Sequence, residues 1–240
     1  MIVESILVAE NLRLKHSERE IFNVESLVLN RGEVLALVGP NGVGKTSLLL
    51  TLALLQPVTE GAIRFNGLTA QKDNLLFLRR QMAVVFQEAL LLDMSVLLNL
   101  TTALRIRGVP WREAQKKAEK WLDRFGIAHL SRQPARSLSG GEAQRTSLAR
   151  AFSLEPKMLF LDEPFAALDY PSRNTLLNDL GLILKEMEVT TLFVTHDYTE
   201  IPCLAHRTAV MYQGRIIKCG SVAEIFGDEM LERRAWVPWS

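Results

Sequence analysis

One lysine, one threonine and two adjacent carboxylates stand out in this 240-residue chain for the chemistry their spacing allows. Gly39-Pro40-Asn41-Gly42-Val43-Gly44-Lys45-Thr46 fits the pattern GxxxxGK[ST]. It directly follows the apolar run Val34–Val38 and leads into Ser47-Leu48-Leu49-Leu50, which reads as a helix start. Glycines let successive backbone N–H groups converge on a phosphate, and the helix N-terminus adds the positive end of its dipole. Gly39 through Ser47 are therefore candidates to line a nucleotide's phosphates, with Lys45 reaching the β- and γ-phosphates and the Thr46 hydroxyl binding Mg²⁺. A chance glycine-rich turn would lack the strand before and the helix after.

A second element sits at the end of another apolar run, Met158-Leu159-Phe160-Leu161-Asp162-Glu163. Asp162 is placed to hold Mg²⁺ through its waters, because Mg²⁺ keeps much of its hydration shell. Glu163, one residue on and directed the other way, is placed to polarise an attacking water. An isolated Asp-Glu pair is commonly just two solvated acids; the phosphate loop in the same chain favours the chemical reading.

The elements that must position these groups read as an α/β fold. Val34–Val38, Ala83–Phe86, Met158–Leu161 and Thr191–Val194 are continuous apolar runs, suited to parallel strands covered on both faces. Two hairpins add antiparallel sheet: Ala62–Phe65 before Asn66-Gly67, and Ala209–Met211 turning at Gln213-Gly214 into Arg215–Ile217. From about residue 92 to 152 the strand signal vanishes. There, between Pro110 in a first helical turn and Gly126 just past the end, Trp111, Ala114, Ala118, Trp121, Leu122 and Phe125 recur at helical spacing. The opposite face carries Lys116, Lys117, Glu119, Lys120 and Asp123, so an all-helical insert interrupts the α/β core.

Leu138-Ser139-Gly140-Gly141-Glu142-Ala143-Gln144-Arg145 goes beyond a generic phosphate-loop protein. Together with Gly39–Thr46 and Asp162-Glu163 it resembles the signature of ATP-binding cassette (ABC) ATPases, and the similarity covers nearly the whole chain. The resemblance implies a P-loop core with a mixed sheet, made of a parallel core plus an antiparallel subdomain, and an all-helical lobe. It implies a single domain over 1–240, with the core lobe in about 1–90 and 153–240 and the signature lobe in about 91–152. ATP and Mg²⁺ are the implied ligands. In the family two copies meet head-to-tail in a homodimer, so Ser139 and Gly141 of one subunit would touch ATP held by the other. Gln87 matches the family's glutamine that contacts Mg²⁺ or water, Asp169 the acid of the loop crossing the dimer interface, and His196 the switch histidine facing the γ-phosphate. By spacing, His16 falls where the family stacks adenine on an aromatic; Phe22, in the next strand, is the nearest true aromatic. His129 and His206 match nothing and read as structural or surface histidines, and Arg136 as a surface charge.

With 28 Lys+Arg against 27 Asp+Glu the net charge is +1, which removes the main reason to expect nonspecific nucleic-acid binding. No apolar run approaches the ~20 residues of a spanning helix, so the chain is not expected to cross a membrane itself. Met1–Ser5 lacks the basic start of a secretory signal. The resemblance implies a peripheral subunit at the cytoplasmic face of a membrane, working with integral permease subunits and a solute-binding protein. Gln87 to about Gly108 lies where the family docks its membrane partner. The greasy stretch Leu90-Leu91-Leu92, Met94, Val96-Leu97-Leu98 and Leu100 is either core of the helical lobe or a partly exposed docking groove. A mean hydropathy of +0.09 fits some covered apolar surface. Pro164–Asp169 and Phe193–Asp197 resemble the cassettes of oxyanion importers, such as those for tungstate or molybdate.

Two rival readings are a soluble cassette acting on nucleic acid or the ribosome, and a non-catalytic regulatory cassette. The charge balance weighs against the first, and the presence of Lys45, Asp162, Glu163 and His196 together weighs against the second. Cys203 and Cys219 read as single buried thiols. Little room follows Gly220-Ser221-Val222 for a further regulatory domain, and the tail Trp236–Ser240 reads as folded back on the domain.

Overall fold

Two twelve-residue strands, β1 (Ser5–His16) and β2 (Arg19–Asn30), pair antiparallel along their length. The computed structural model describes residues 4–17 and 19–227, so Trp236–Ser240 lies outside the described residues. After β3 (Val34–Val38) and α1 (Lys45–Leu52), β4 (Glu60–Phe65) adds to β1, and β5 (Leu68–Thr69) closes a four-stranded antiparallel sheet. Asn66 and Gly67 between β4 and β5 both have positive φ, the conformation a tight two-residue hairpin turn requires.

The second sheet is built from β3, β6 (Met82–Val85), β7 (Met158–Asp162), β8 (Thr190–Val194), β9 (Arg207–Tyr212) and β10 (Arg215–Ser221). Its order is β10-β9-β3-β8-β7-β6, parallel throughout except for the β9–β10 hairpin. Every residue of β3, β7 and β8 is buried, as in parallel strands covered on both faces. Alternation within a strand divides the core in two. Leu35 and Leu37 join Leu48, Leu49 and Leu52 of α1 and the inner faces of β1 and β2. Val34, Ala36 and Val38 face the other side, with the helices.

After the short α2 (Leu75–Arg79), three helices occupy the strand-free stretch: α3 (Val96–Ile106), α4 (Trp111–Arg124) and α5 (Gly140–Ser153). Trp121 stacks on Phe152 with ring centroids 5.2 Å apart, and Phe125 fills the third corner 5.7 Å from Phe152, so α4 and α5 meet through aromatic rings. Helix α6 (Tyr170–Met187) and the short α7 (Ile201–Leu204) and α8 (Val222–Phe226) complete the fold. Among the described residues no helix is long and apolar enough to cross a membrane.

The structure corrects four expectations. Cys203 in α7 and Cys219 on the edge strand β10 are both exposed. Trp111 is exposed, and the buried stripe of α4 starts at Ala114. Pro110 occupies the cap position just before the helix, with extended backbone. Phe86 lies past the end of β6.

The greasy stretch 90–100 is divided between core and surface. Val96 and Leu100 are buried, while Leu90, Leu92 and Leu98 are exposed. Buried Asn99 holds that division: its Oδ1 accepts from the Leu92 N–H at 2.8 Å and its Nδ2 donates to the Leu92 carbonyl at 3.1 Å. Truncating the aromatic corner should show how far the helices depend on it. Phe152→Ala is expected to lower stability by about 3–5 kcal/mol in denaturant unfolding, the usual cost of deleting a fully buried ring.

Candidate active site

The carboxyl ends of β3, β7 and β8 share one edge of the parallel sheet, where α/β proteins leave a crevice. Gly39 leaves β3 so close to β9 that a Cβ there would sit 2.1 Å from the Met211 carbonyl oxygen; no side chain fits. Gly44, with φ of 103°, precedes α1 in the left-handed conformation that glycine adopts without strain, against the Ile21 carbonyl of β2. The loop is thereby bent so that the first turn of α1 opens onto the sheet edge.

Lys45 is buried, and its Nζ donates to the carbonyls of Gly39 at 2.8 Å and Pro40 at 3.0 Å. Burial pushes its ammonium below the usual lysine range, opposed by the nearby carboxylates of Glu163 and Asp162. The Thr46 hydroxyl donates to Asp162 Oδ1 at 3.0 Å. Burial raises Asp162 above the usual carboxylate range, against the Thr46 hydrogen bond, which favours the charged form.

Glu163 has φ of 47°, a left-handed backbone that a non-glycine residue adopts only when its surroundings enforce it. Here its N–H donates to the Val194 carbonyl at 3.0 Å, turning the chain off β7 toward the end of β8. The Glu163 side chain then meets His196, with Oε2 to Nδ1 at 3.0 Å. His196 is 53% exposed and Glu163 17%, so the acid is shielded and the ring lies on the open side.

These donors fit a hard cation. Thr46 and Asp162 offer only oxygen, and among the described residues no group of three or more His, Cys, Asp or Glu is placed to cage a metal. An ion that keeps several waters and takes other ligands from phosphate oxygens suits such a site, as Mg²⁺ does.

The structure thus brings together Lys45, Thr46, Asp162, Glu163 and His196. Among the described residues no hydrogen bond links Gln87, His16, Ser139 or Gly141 to loop 39–46. Gln87 is exposed two residues past β6, and His16 is exposed at the end of β1. Ser139 caps α5, its hydroxyl and N–H both donating to Glu142 Oε2 at 2.7 and 2.8 Å. Gly141 packs on Ser172 and Leu168 of its own chain. Asp169 caps α6 by accepting from the Ser172 N–H at 2.9 Å. His206 accepts the Val34 N–H through Nδ1 at 2.9 Å and is structural.

Two side chains near the site went unremarked in the sequence. Buried Gln144 donates to the Phe86 carbonyl at 3.3 Å, tying α5 to the loop that carries Gln87. Arg173, on the first turn of α6, reaches the segment after His196. Adjacency to the Ser139–Gly141 run marked the first; nothing local marked the second.

A glycine loop between a buried parallel strand and a helix, with an acid closing a neighbouring strand onto its threonine, defines a P-loop nucleotide-binding fold. The chain belongs to the ABC transporter family, which matches residues 22–166. It is 35% identical over 226 residues to the molybdate/tungstate import ATP-binding protein WtpC of Thermococcus kodakarensis, covering 92% of this chain and 66% of that protein. It is 39% identical over 214 residues to the sulfate/thiosulfate import ATP-binding protein CysA of Escherichia coli, covering 86% of this chain and 57% of that one. The chain therefore spans about two-thirds or less of the length of these relatives. Among solved structures it is similar to cbiO1 of Clostridium perfringens, part of an ABC transporter complex, with a TM-score of 0.87, 30% identity and coverage of 96% and 94%. It is also similar to the ATP-binding cassette MJ0796, whose dimer was solved with ADP and Pi, with a TM-score of 0.81, 25% identity and coverage of 90% and 98%.

Thr46→Val keeps the side-chain volume and removes the hydroxyl. Mg²⁺-dependent binding of a fluorescent nucleoside triphosphate is expected to weaken roughly 10-fold or more, while binding measured in EDTA stays unchanged. Because burial holds Asp162 above the usual carboxylate range and Mg²⁺ needs its charged form, wild-type Mg²⁺ affinity should fall on acidification earlier than an ordinary aspartate would dictate.

Proposed function

We propose that this chain is the ATP-hydrolysing subunit of an importer, working as a head-to-tail homodimer on separate membrane permease subunits at the cytoplasmic face. The observation that carries this reading is the convergence of the Thr46–Asp162 and Glu163–His196 pairs on the mouth of one phosphate loop. Residues of about 1–90 and 153–240 form the catalytic lobe, and about 91–152 the signature lobe.

Backbone N–H groups of Gly39–Thr46 and the Lys45 ammonium bind and orient the β- and γ-phosphates, with Ser47 continuing the helix behind them. Thr46 and Asp162 would hold Mg²⁺, with Gln87 joining them, and the ion would supply positive charge to the phosphate oxygens. Glu163 accepts a proton from the water that attacks the γ-phosphorus in line with the departing ADP. Ionised Glu163 only accepts, so the His196 nitrogen facing it carries hydrogen. Its other nitrogen can then donate to a phosphate oxygen only if the ring is protonated or turns away from Glu163.

The packing of Gly140 and Gly141 on Ala167–Ser172, rather than on loop 39–46, supports a signature that serves nucleotide on a second copy. Ser139 and Gly141 act there, and His16 stacks the adenine. The permease seat is the cleft of about 400 Å³ between the sheet edge and α3, lined by Leu92, Ile106 and Arg107 among others. Ile106 is 69% exposed, and Arg150, which also lines the cleft, is held below the usual arginine range by burial. An apolar segment carrying a carboxylate suits that lining. The cargo is an oxyanion delivered by a solute-binding protein, a reading supported by the resemblance of Pro164–Asp169 and Phe193–Asp197 to oxyanion cassettes and by the names of the relatives above.

Glu163→Gln tests the base: hydrolysis should fall by roughly 10²- to 10⁴-fold, with an ATP-bound dimer accumulating on gel filtration. Near-wild-type turnover would sink the assignment. Ile106→Asp tests the seat. It should abolish co-purification with the permease while the ATPase rate of the chain on its own stays within about twofold of wild type, as for surface substitutions away from the site.

A further inference from the structure

Glu200 has no part in the chemistry above, yet it is a carboxyl group only 3% exposed, six residues past the buried end of Thr190–Val194. Its Oε2 accepts from the Thr195 hydroxyl at 2.5 Å, and its Oε1 accepts from the Arg173 guanidinium at 2.5 Å. The same guanidinium nitrogen donates to Asp197. The Asp197 N–H donates back to the Thr195 hydroxyl at 3.0 Å, and Asp197 Oδ1 accepts from the Thr199 N–H at 2.8 Å. Both chain neighbours of His196 are therefore held in one knot.

The knot contains two carboxyl groups and a single cation. Without Arg173, one buried acid and one partly buried acid would face each other with no counter-charge, which costs stability or forces one of them to take up a proton. Burial, joined by the Asp197 charge, pushes Glu200 above the usual carboxylate range, opposed by Thr195 and Arg173. One nitrogen bridging two carboxyl groups from a planar, always-charged head is arginine chemistry, which lysine reproduces only in part.

Arg173 also looks the other way. It stands four residues after Asp169, which caps the same helix, and one after Ser172, on which Gly141 packs. Gly140 and Gly141 thus pack on Ala167–Ser172, and Arg173, next in the chain, holds Asp197 directly and Thr195 through Glu200, the two residues that flank His196. We infer that Arg173 is a positioning residue that sets His196 against Glu163 and couples that pair to the Ala167–Asp169 loop; the inference rests on the proposed roles of Glu163 and His196.

The test is steady-state ATP hydrolysis and nucleotide binding by the full chain. Arg173→Met should lower kcat roughly 10- to 100-fold, the scale of a catalytic group misplaced by about 1 Å, with ATP affinity unchanged. Arg173→Lys should recover part of the loss, and Thr195→Val should lose kcat in the same sense. In a His196→Ala background Arg173→Met should add no further loss, which a merely structural ion pair would not predict. The inference is overturned if Arg173→Met leaves kcat intact, if its loss multiplies with that of His196→Ala, or if ATP affinity falls in step. Should Arg173→Met fail to fold, Arg173→Lys and Thr195→Val carry the same comparison against His196→Ala. Full activity in His196→Ala alone would overturn the role of His196 itself, and this inference with it; loss in His196→Ala without coupling to Arg173 would overturn the inference only.

Discussion

Lys45 and Asp162 are opposite charges taken largely out of water at the carboxyl edge of one parallel sheet, and the rest of the site is arranged around that constraint. Burial pushes each toward its neutral form, the lysine down and the aspartate up, and nearby opposite charge, with the Thr46 hydrogen bond on Asp162, offsets the cost. Lys45 leans on backbone carbonyls of its own loop, and Asp162 on the Thr46 hydroxyl. A polyphosphate with a divalent cation complements both at once. The same arrangement would be a poor place for a neutral ligand.

Holding charges there demands rigid surroundings. Three adjoining strands, β3, β8 and β7, are buried at every position and paired in regular parallel register. One face of that sheet is sealed by α1 and the antiparallel β1–β2 hairpin, the other by helices. The strained turn at Glu163 is affordable because the Val194 carbonyl captures its N–H. The Glu163–His196 pair, by contrast, sits at the rim, with His196 more open than Glu163.

The helices of the strand-free stretch serve a different end. Their aromatic corner gives them a firm interior, and Asn99 keeps the apolar residues before α3 divided between core and surface. Gln144 and the Gly140–Gly141 turn then tie α5 to two loops at the sheet edge, those following β6 and β7. Movement of the helical segment therefore bears directly on loops that flank the phosphate site.

Glycine spacing, apolar runs and turn dipeptides are local rules, so the phosphate loop, the parallel strands, both hairpins and the helical stretch were legible from the sequence by itself. So were Lys45, Thr46, Asp162 and Glu163, which stand at or just past the end of a strand or open a helix, whereas His196 was implied by the family resemblance. Exposure of Cys203, Cys219 and Trp111 was not legible, since it depends on which element covers which, and a helical or alternating pattern does not say how far a neighbour extends. The Glu163–His196 pair, the Gln144 tie and the Arg173 knot were decided only by tertiary structure. Each depends on groups far apart in sequence, and short-range hydrogen bonds of that kind form only after packing has set the distance.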